Sequence, residues 1–157
     1  MITVKIEGLK DVQAALREML PDRTARSIMR RVLMKRAKPI ADHAASLAPV
    51  DPNGKQDLKK SIRASGTLRK SQRAASRQDP NDVVVYVGPS TALTRAILAY
   101  AHLQEFGAPQ HGPQPYMRPA WDQARGTVLK GIGEDMWDEI VKAVRRADRK
   151  ASRGARG

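Results

Sequence analysis

Val83-Val84-Val85-Tyr86-Val87-Gly88-Pro89 is the stretch on which the fold turns. Five residues of high β-propensity in a row, ended by Gly-Pro, predict a strand. Strong helical patterns flank it on both sides, so the chain is α+β and not a plain helical bundle. Upstream, residues 69–82 are polar and basic, with Arg69, Lys70, Arg73 and Arg77 and almost no large apolar group. Such a segment cannot build a core, and it predicts a long, flexible basic hairpin loop. Before it, residues 58–68 read as a second strand with Leu58 and Ile62 pointing inward. The two strands are expected to pair antiparallel across the loop.

Further upstream, residues 2–7 alternate apolar and polar, the pattern of a short strand, and Leu9, Val12, Leu16 and Met19 recur at helical spacing up to Pro21. Asp22 is a suitable N-cap for a second helix whose apolar stripe runs Ile28, Val32, Ala37, Ile40, Ala44 and Leu47. Pro39 lies inside that stripe and predicts a kink or a break, because it lacks a backbone donor and crowds the preceding turn. The segment 48–54, with two prolines and Asn53-Gly54, reads as a turn.

Downstream of the strand, residues 95–106 form a short helix with Ile97, Leu98, Ala101 and Phe106 available for burial, stopped by Gly107. Residues 107–115 hold three prolines, two glycines and His111, which forces an irregular loop. A last helix is expected from about Pro119, carrying Trp121, Val128, Ile132, Met136, Ile140 and Val144. Gly126, Gly131 and Gly133 weaken it, each by roughly 1 kcal/mol relative to alanine. The expected architecture is a small antiparallel sheet packed against two or three helices. Residues 1–145 would form one domain and 146–157 a basic, flexible tail.

The chain has 157 residues, with 29 Lys and Arg against 16 Asp and Glu, a formal charge of +13. That excess points to a polyanionic or acidic partner and says nothing about fold. Aromatic residues make up 4%, so large core side chains are scarce and the monomer is expected to gain stability from neighbouring copies. The absence of cysteine excludes disulfides and thiolate metal sites, and suits synthesis in a reducing cytoplasm. No apolar run is long enough to cross a bilayer, so no membrane role is expected.

Searches for chemistry return little. His102 and Glu105 stand three apart, a spacing able to share a metal, but no second pair and no cysteine accompany them. His43 beside Asp42 has no nucleophile motif, and there is no Gly-x-Ser-x-Gly elbow. The glycines match no phosphate-binding loop. Glu134-Asp135 and Asp138-Glu139 read best as a solvated helix face or as a partner for basic residues of another copy. No metal, cofactor or enzymatic activity is expected. The basic stretches 23–38, 55–77 and 142–157 would bind phosphates non-specifically in low salt, but they lack interleaved aromatics.

One stretch is more specific than composition. Tyr100-Ala101-His102-Leu103-Gln104-Glu105-Phe106-Gly107, then Gln114-Pro115-Tyr116-Met117-Arg118-Pro119-Ala120, resembles the signature of a tail-component or neck family of long-tailed bacteriophages. Ala108 stands where that family usually has threonine, and Tyr116 where it has phenylalanine. Gly8-Leu9, Leu20-Pro21, Ala48-Pro49 and then Gly54, Leu58, Ser61 and Ile62 follow the family's order of features, with Gln56 and Asp57 among inserted residues. The likeness spans roughly residues 2–145, and only 100–120 is distinctive.

The resemblance implies a virion structural protein, made in the host bacterial cytoplasm. It would form a ring of copies that joins the head connector to the tail. Its implied partners are itself, head-completion or connector proteins, and tail-terminator or tail-tube proteins, with transient DNA contact. Interface anchors would be Glu105, Phe106, Tyr116, Arg118 and Trp121, since rigid aromatic and arginine side chains dominate such contacts. Glu105 with Arg118, within or between subunits, is the expected pair. The alternative is a basic nucleic-acid-binding accessory protein. A nuclease or toxin-like enzyme is weaker still, for lack of any catalytic constellation.

Overall fold

A computed structural model of the chain describes residues 22–50, 58–68, 82–90 and 95–154. The strand expected at 2–7, the helix at 9–19 and the loop residues Arg69, Lys70, Arg73 and Arg77 lie outside the described residues. The elements follow in the order α1 (Asp22–Leu47), a single helical turn α2 (Leu58–Ser61), β1 (Ile62–Ser65), β2 (Tyr86–Pro89), α3 (Arg95–Phe106) and α4 (Met117–Gly154). Helices packed on a small antiparallel sheet make this an α+β fold.

The two long helices build most of the core. On α1, Ala25, Ile28, Val32, Ile40 and Ala44 are buried at helical spacing, and on α4 so are Ala120, Val128, Ile132, Met136, Ile140 and Ala143. The pairings Arg31 with Glu139 and Arg36 with Asp135 show that α1 and α4 run antiparallel. Pro39 does not break α1, which is one helix across the whole span. Pro39 is on the exposed side of the helix, where a carbonyl one turn back that loses its donor can be satisfied by solvent. The helical backbone of α4 continues past Arg145 to Gly154.

The ion pairs line one flank of this interface. Asp135 accepts from Arg36 Nε and, at 2.9 Å, from Lys35 Nζ, while Glu139 accepts from Arg31 and, at 3.5 Å, from Lys142. The hydrogen bond from Arg36, with Lys35 beside it, holds the Asp135 carboxyl below the usual carboxylate range. Gly131 makes the arrangement possible. It is buried, and a Cβ there would collide with the Arg36 guanidinium.

The strands pair with Ile62 opposite Pro89, Arg63 opposite Gly88, Ala64 opposite Val87 and Ser65 opposite Tyr86. Both differ from the sequence expectation. Residues 58–61 form a helical turn and not a strand, which places Leu58 and Ser61, three apart, together in the interior. The Ser61 hydroxyl donates to the Leu58 carbonyl at 2.6 Å. The second strand sits three residues later than expected and includes Gly88 and Pro89. Its would-be partner ends early: Thr67 N–H donates to Ser65 Oγ, and that hydroxyl donates to the Thr67 carbonyl, turning the chain. Val83, Val84 and Val85 are thus half-buried but outside the ladder.

A second apolar cluster joins Ala41, Ala44, Ala48, Leu58, Ile62, Ala101, Tyr116 and Ala120, and Val87 packs against both clusters. Five of those eight residues are alanine, so elements approach closely around one large ring, Tyr116.

The three glycines of α4 should respond oppositely to alanine. Gly126 and Gly133 have open space where a Cβ would go, so each change should stabilise by about 0.5–1 kcal/mol through better helix propensity. Gly131→Ala should destabilise by about 1–2 kcal/mol, because it drives Arg36 off Asp135. Urea unfolding midpoints of the three variants check the signs.

Candidate functional site

The distinctive 100–120 stretch is the junction between α3 and α4. α3 stops because Gly107 takes a φ of 86°, a left-handed conformation that costs glycine little. Its N–H donates to the Leu103 carbonyl at 2.7 Å, closing the helix end. Space is as restrictive as dihedral angle: a Cβ on Gly107 would lie 3.1 Å from the Pro113 nitrogen and 3.2 Å from its Cδ. The chain then makes a tight reversal in which Ala108 and His111 exchange backbone hydrogen bonds of 3.0 and 3.1 Å. Gln114 N–H returns to the Gln104 carbonyl at 2.7 Å, fastening the proline loop onto α3.

This path delivers the start of α4 to the side chain of Glu105. One carboxylate oxygen accepts from Tyr116 N–H and Met117 N–H, both at 2.9 Å, and the other accepts from Arg118 N–H at 3.1 Å. Pro119 has no N–H to satisfy. A single carboxylate therefore takes the donors that a helix start leaves without partners, and its charge lies where the helix dipole is positive. Glu105 is only 6% exposed, so these bonds are shielded from water. Beneath them Tyr116 is 1% exposed, and its hydroxyl donates to the Ala101 carbonyl at 3.5 Å. Burial, with the Glu105 charge nearby, pushes the Tyr116 phenol up to about 12.

The structure divides the five expected anchors. Glu105 and Tyr116 are interior and hold the junction together. Trp121 is half-buried and packs on the α1–α4 core. Phe106 and Arg118 are on the surface, with Phe106 53% exposed. Glu105 and Arg118 do meet, but through the Arg118 backbone N–H and not its guanidinium. The guanidinium carbon instead lies 4.7 Å from the centre of the Phe106 ring, a cation–π contact. His102 also packs against Phe106, with ring centres 4.7 Å apart and planes tilted by 42°. Phe106, expected to be available for burial, thus stands largely in solvent, in contact with an imidazole and a guanidinium.

The metal spacing of His102 and Glu105 does not operate as one, since Glu105 is occupied as a cap and His102 faces Phe106. Among the described residues no group of three or more His, Asp or Glu could hold a metal ion. Sequence reading missed the capping role of Glu105, although a signal existed. Residues 113–116, Pro-Gln-Pro-Tyr, contain no residue of the Ser, Thr, Asp or Asn type to cap α4 locally, so a long helix lacked an acceptor. It also missed His102 as a ring partner and Trp137, which is 52% exposed on α4.

Two measurements test this junction. Glu105→Gln replaces an acceptor oxygen with an NH₂ facing N–H donors, and should lower unfolding free energy by about 2–3 kcal/mol in urea titrations. The Tyr116 phenol keeps its proton more tightly folded than unfolded, so its contribution is complete below about pH 10 and is lost as pH rises toward 12. Tyr116→Phe should flatten the fall in melting temperature between about pH 10 and 12.

A family model described as "Bacteriophage HK97-gp10, putative tail-component" matches residues 10–107. The match takes in α1, the hairpin strands and α3 with Glu105, Phe106 and Gly107, and ends where the proline loop begins. No curated protein and no solved structure matches the chain. The family match covers well over half of the 157 residues, and the chain belongs to the bacteriophage HK97-gp10 tail-component family.

Proposed function

We propose that this protein is a neck or tail-completion component of a tailed phage virion. Copies of it form a ring at the head–tail junction and join the connector to the tail through surface contacts, with no catalytic step. Membership in a phage tail-component family supports a structural role in the virion. The observation that supports the finer reading is the exposed Phe106, in contact with Arg118 and His102 on a junction held by the buried Glu105 carboxylate. A large ring left in water at a rigid site costs hydration free energy unless a partner covers it. Pre-ordering removes most of the entropy cost of presenting it. Leu103, 40% exposed one turn back on α3, extends the same apolar spot. A heterologous contact made by this spot and repeated around an axis closes a ring.

Phe106→Ala and Arg118→Ala should leave the monomer folded, with helix content unchanged, because neither side chain supports the core. Each should cost about 2 kcal/mol at every subunit contact and sharply reduce the joining of heads to tails. Complementation of a phage lacking the gene, scored as infectious particles and as separate heads and tails by electron microscopy, provides the readout. Wild-type particle yields from both variants would refute the proposed contact.

A further inference from the structure

A ring closed by one repeated heterologous contact needs two different, complementary surfaces on each copy. The Phe106 spot supplies one. It is the outward face of α3, where Ala99, His102, Leu103 and Phe106, at positions i, i+3, i+4 and i+7, are all exposed. Among the described residues the exposed large apolar side chains are Leu47, Val50, Leu103, Phe106 and Trp137. Leu47 and Val50 stand within two residues of Ala48, which clusters with Ala101 and Tyr116, so they belong to the same end of the molecule as the junction. Trp137 stands elsewhere, about 28 Å along α4 from Arg118.

Trp137 shares a stripe of α4 with Gly126, Lys130, Gly133 and Val141, at successive steps of three or four residues. Gly126 and Gly133 have open space where a Cβ would stand. Glycine inside a helix is destabilising, and neither position is needed to relieve crowding within the subunit. The two leave a low strip beside a large ring, where another helix can approach closely. Charge fits as well. Glu134, one turn before Trp137, and Asp138, next to it, are exposed carboxylates. Lys130 stands about two turns from Trp137, so on α4 the exposed charges nearest the ring are acidic. The Phe106 ring, by contrast, carries the Arg118 guanidinium over it. Resting on the reading of Phe106 as a subunit contact, we infer that its receptor is a second copy: the outward face of α3 docks on the Trp137 face of α4 in the next subunit. Phe106 and Leu103 settle over Gly133 against the Trp137 ring, and Arg118 meets Glu134. An apolar face with a cation and an apolar face with carboxylates are thus complementary halves carried by one chain.

The chain has no cysteine, so introduced cysteines report this contact cleanly. Phage particles assembled with the Leu103→Cys, Gly133→Cys double variant should give a ladder of covalent multimers on mild oxidation. Each single variant should give none. Dimers from Leu103→Cys alone would overturn the inference, since α3 would then meet its own counterpart. Particles that give no ladder would overturn it too. Gly133→Gln should melt at or above the wild-type temperature and yet cut the joining of heads to tails at least about tenfold, a split that a purely structural role for Gly133 does not give. Glu134→Arg should also impair joining, and adding Arg118→Glu in the same chain should restore it. Wild-type joining by both Gly133→Gln and Glu134→Arg would remove α4 as the receptor. Failed joining by Phe106→Ala without a ladder from the double variant keeps the Phe106 contact and rejects this receptor, whereas wild-type joining by Phe106→Ala rejects both.

Discussion

The Glu105 carboxylate, bonded to three successive backbone N–H groups at the start of α4, is the interaction on which the rest of the structure depends. α4 is 38 residues long, and its first turn has no local capping side chain. Its N-terminus is therefore specified from another helix, by a residue at the end of α3. Gly107 and the fastened proline loop bring the two together, and the Tyr116 ring fills the space beneath. Once that end of α4 is placed, its apolar stripe meets α1 in one register, and the core of alanines with a few large side chains closes around it. A core so poor in aromatics has little spare burial with which to correct a misplaced helix, so a shielded, charge-assisted cap has unusual weight here.

Charge is partitioned by the same geometry. α4 offers Asp135 and Glu139 to the middle of α1, where they face Arg31, Lys35 and Arg36, with Gly131 leaving room for a guanidinium. At the other end of the chain's architecture is the α3–α4 junction, whose exposed features are an aromatic ring and an arginine stacked on it.

An exposed ring on a hydrogen-bonded junction fits a phage tail component. Phe106 is set on a firm base, because the Glu105 carboxylate and the Tyr116 ring beside it are buried and hydrogen-bonded. The family match ends at Gly107, so it includes the residue that caps α4 and not the helix that is capped. The Glu-Phe-Gly triplet consequently combines three physical duties in adjacent positions: Glu105 points inward to bond a helix, Phe106 points outward to solvent, and Gly107 permits the reversal between them.

Local patterns in the sequence determined the elements themselves. The helical stripe from Ile28 to Ala44, the break at Gly107, the stripe from Val128 to Ile140 and the β-branched run near Val87 each reflect periodicity or turn chemistry that operates over a few residues. The chemically special stretch at 100–120 was legible too, because Glu-Phe-Gly and a proline-rich reversal are unusual together. What each residue there does was decided only by tertiary structure. Whether Glu105 bonds a guanidinium or three backbone amides depends on where residues 116–118 return in space. Whether Phe106 is buried or exposed depends on which face of α3 meets the second apolar cluster. Strand boundaries likewise followed from a side-chain turn at Ser65 and Thr67 and from the burial of Leu58 with Ser61. Hydrogen-bond satisfaction and charge pairing across a hundred residues are properties of proximity in space, and no local spacing encodes them.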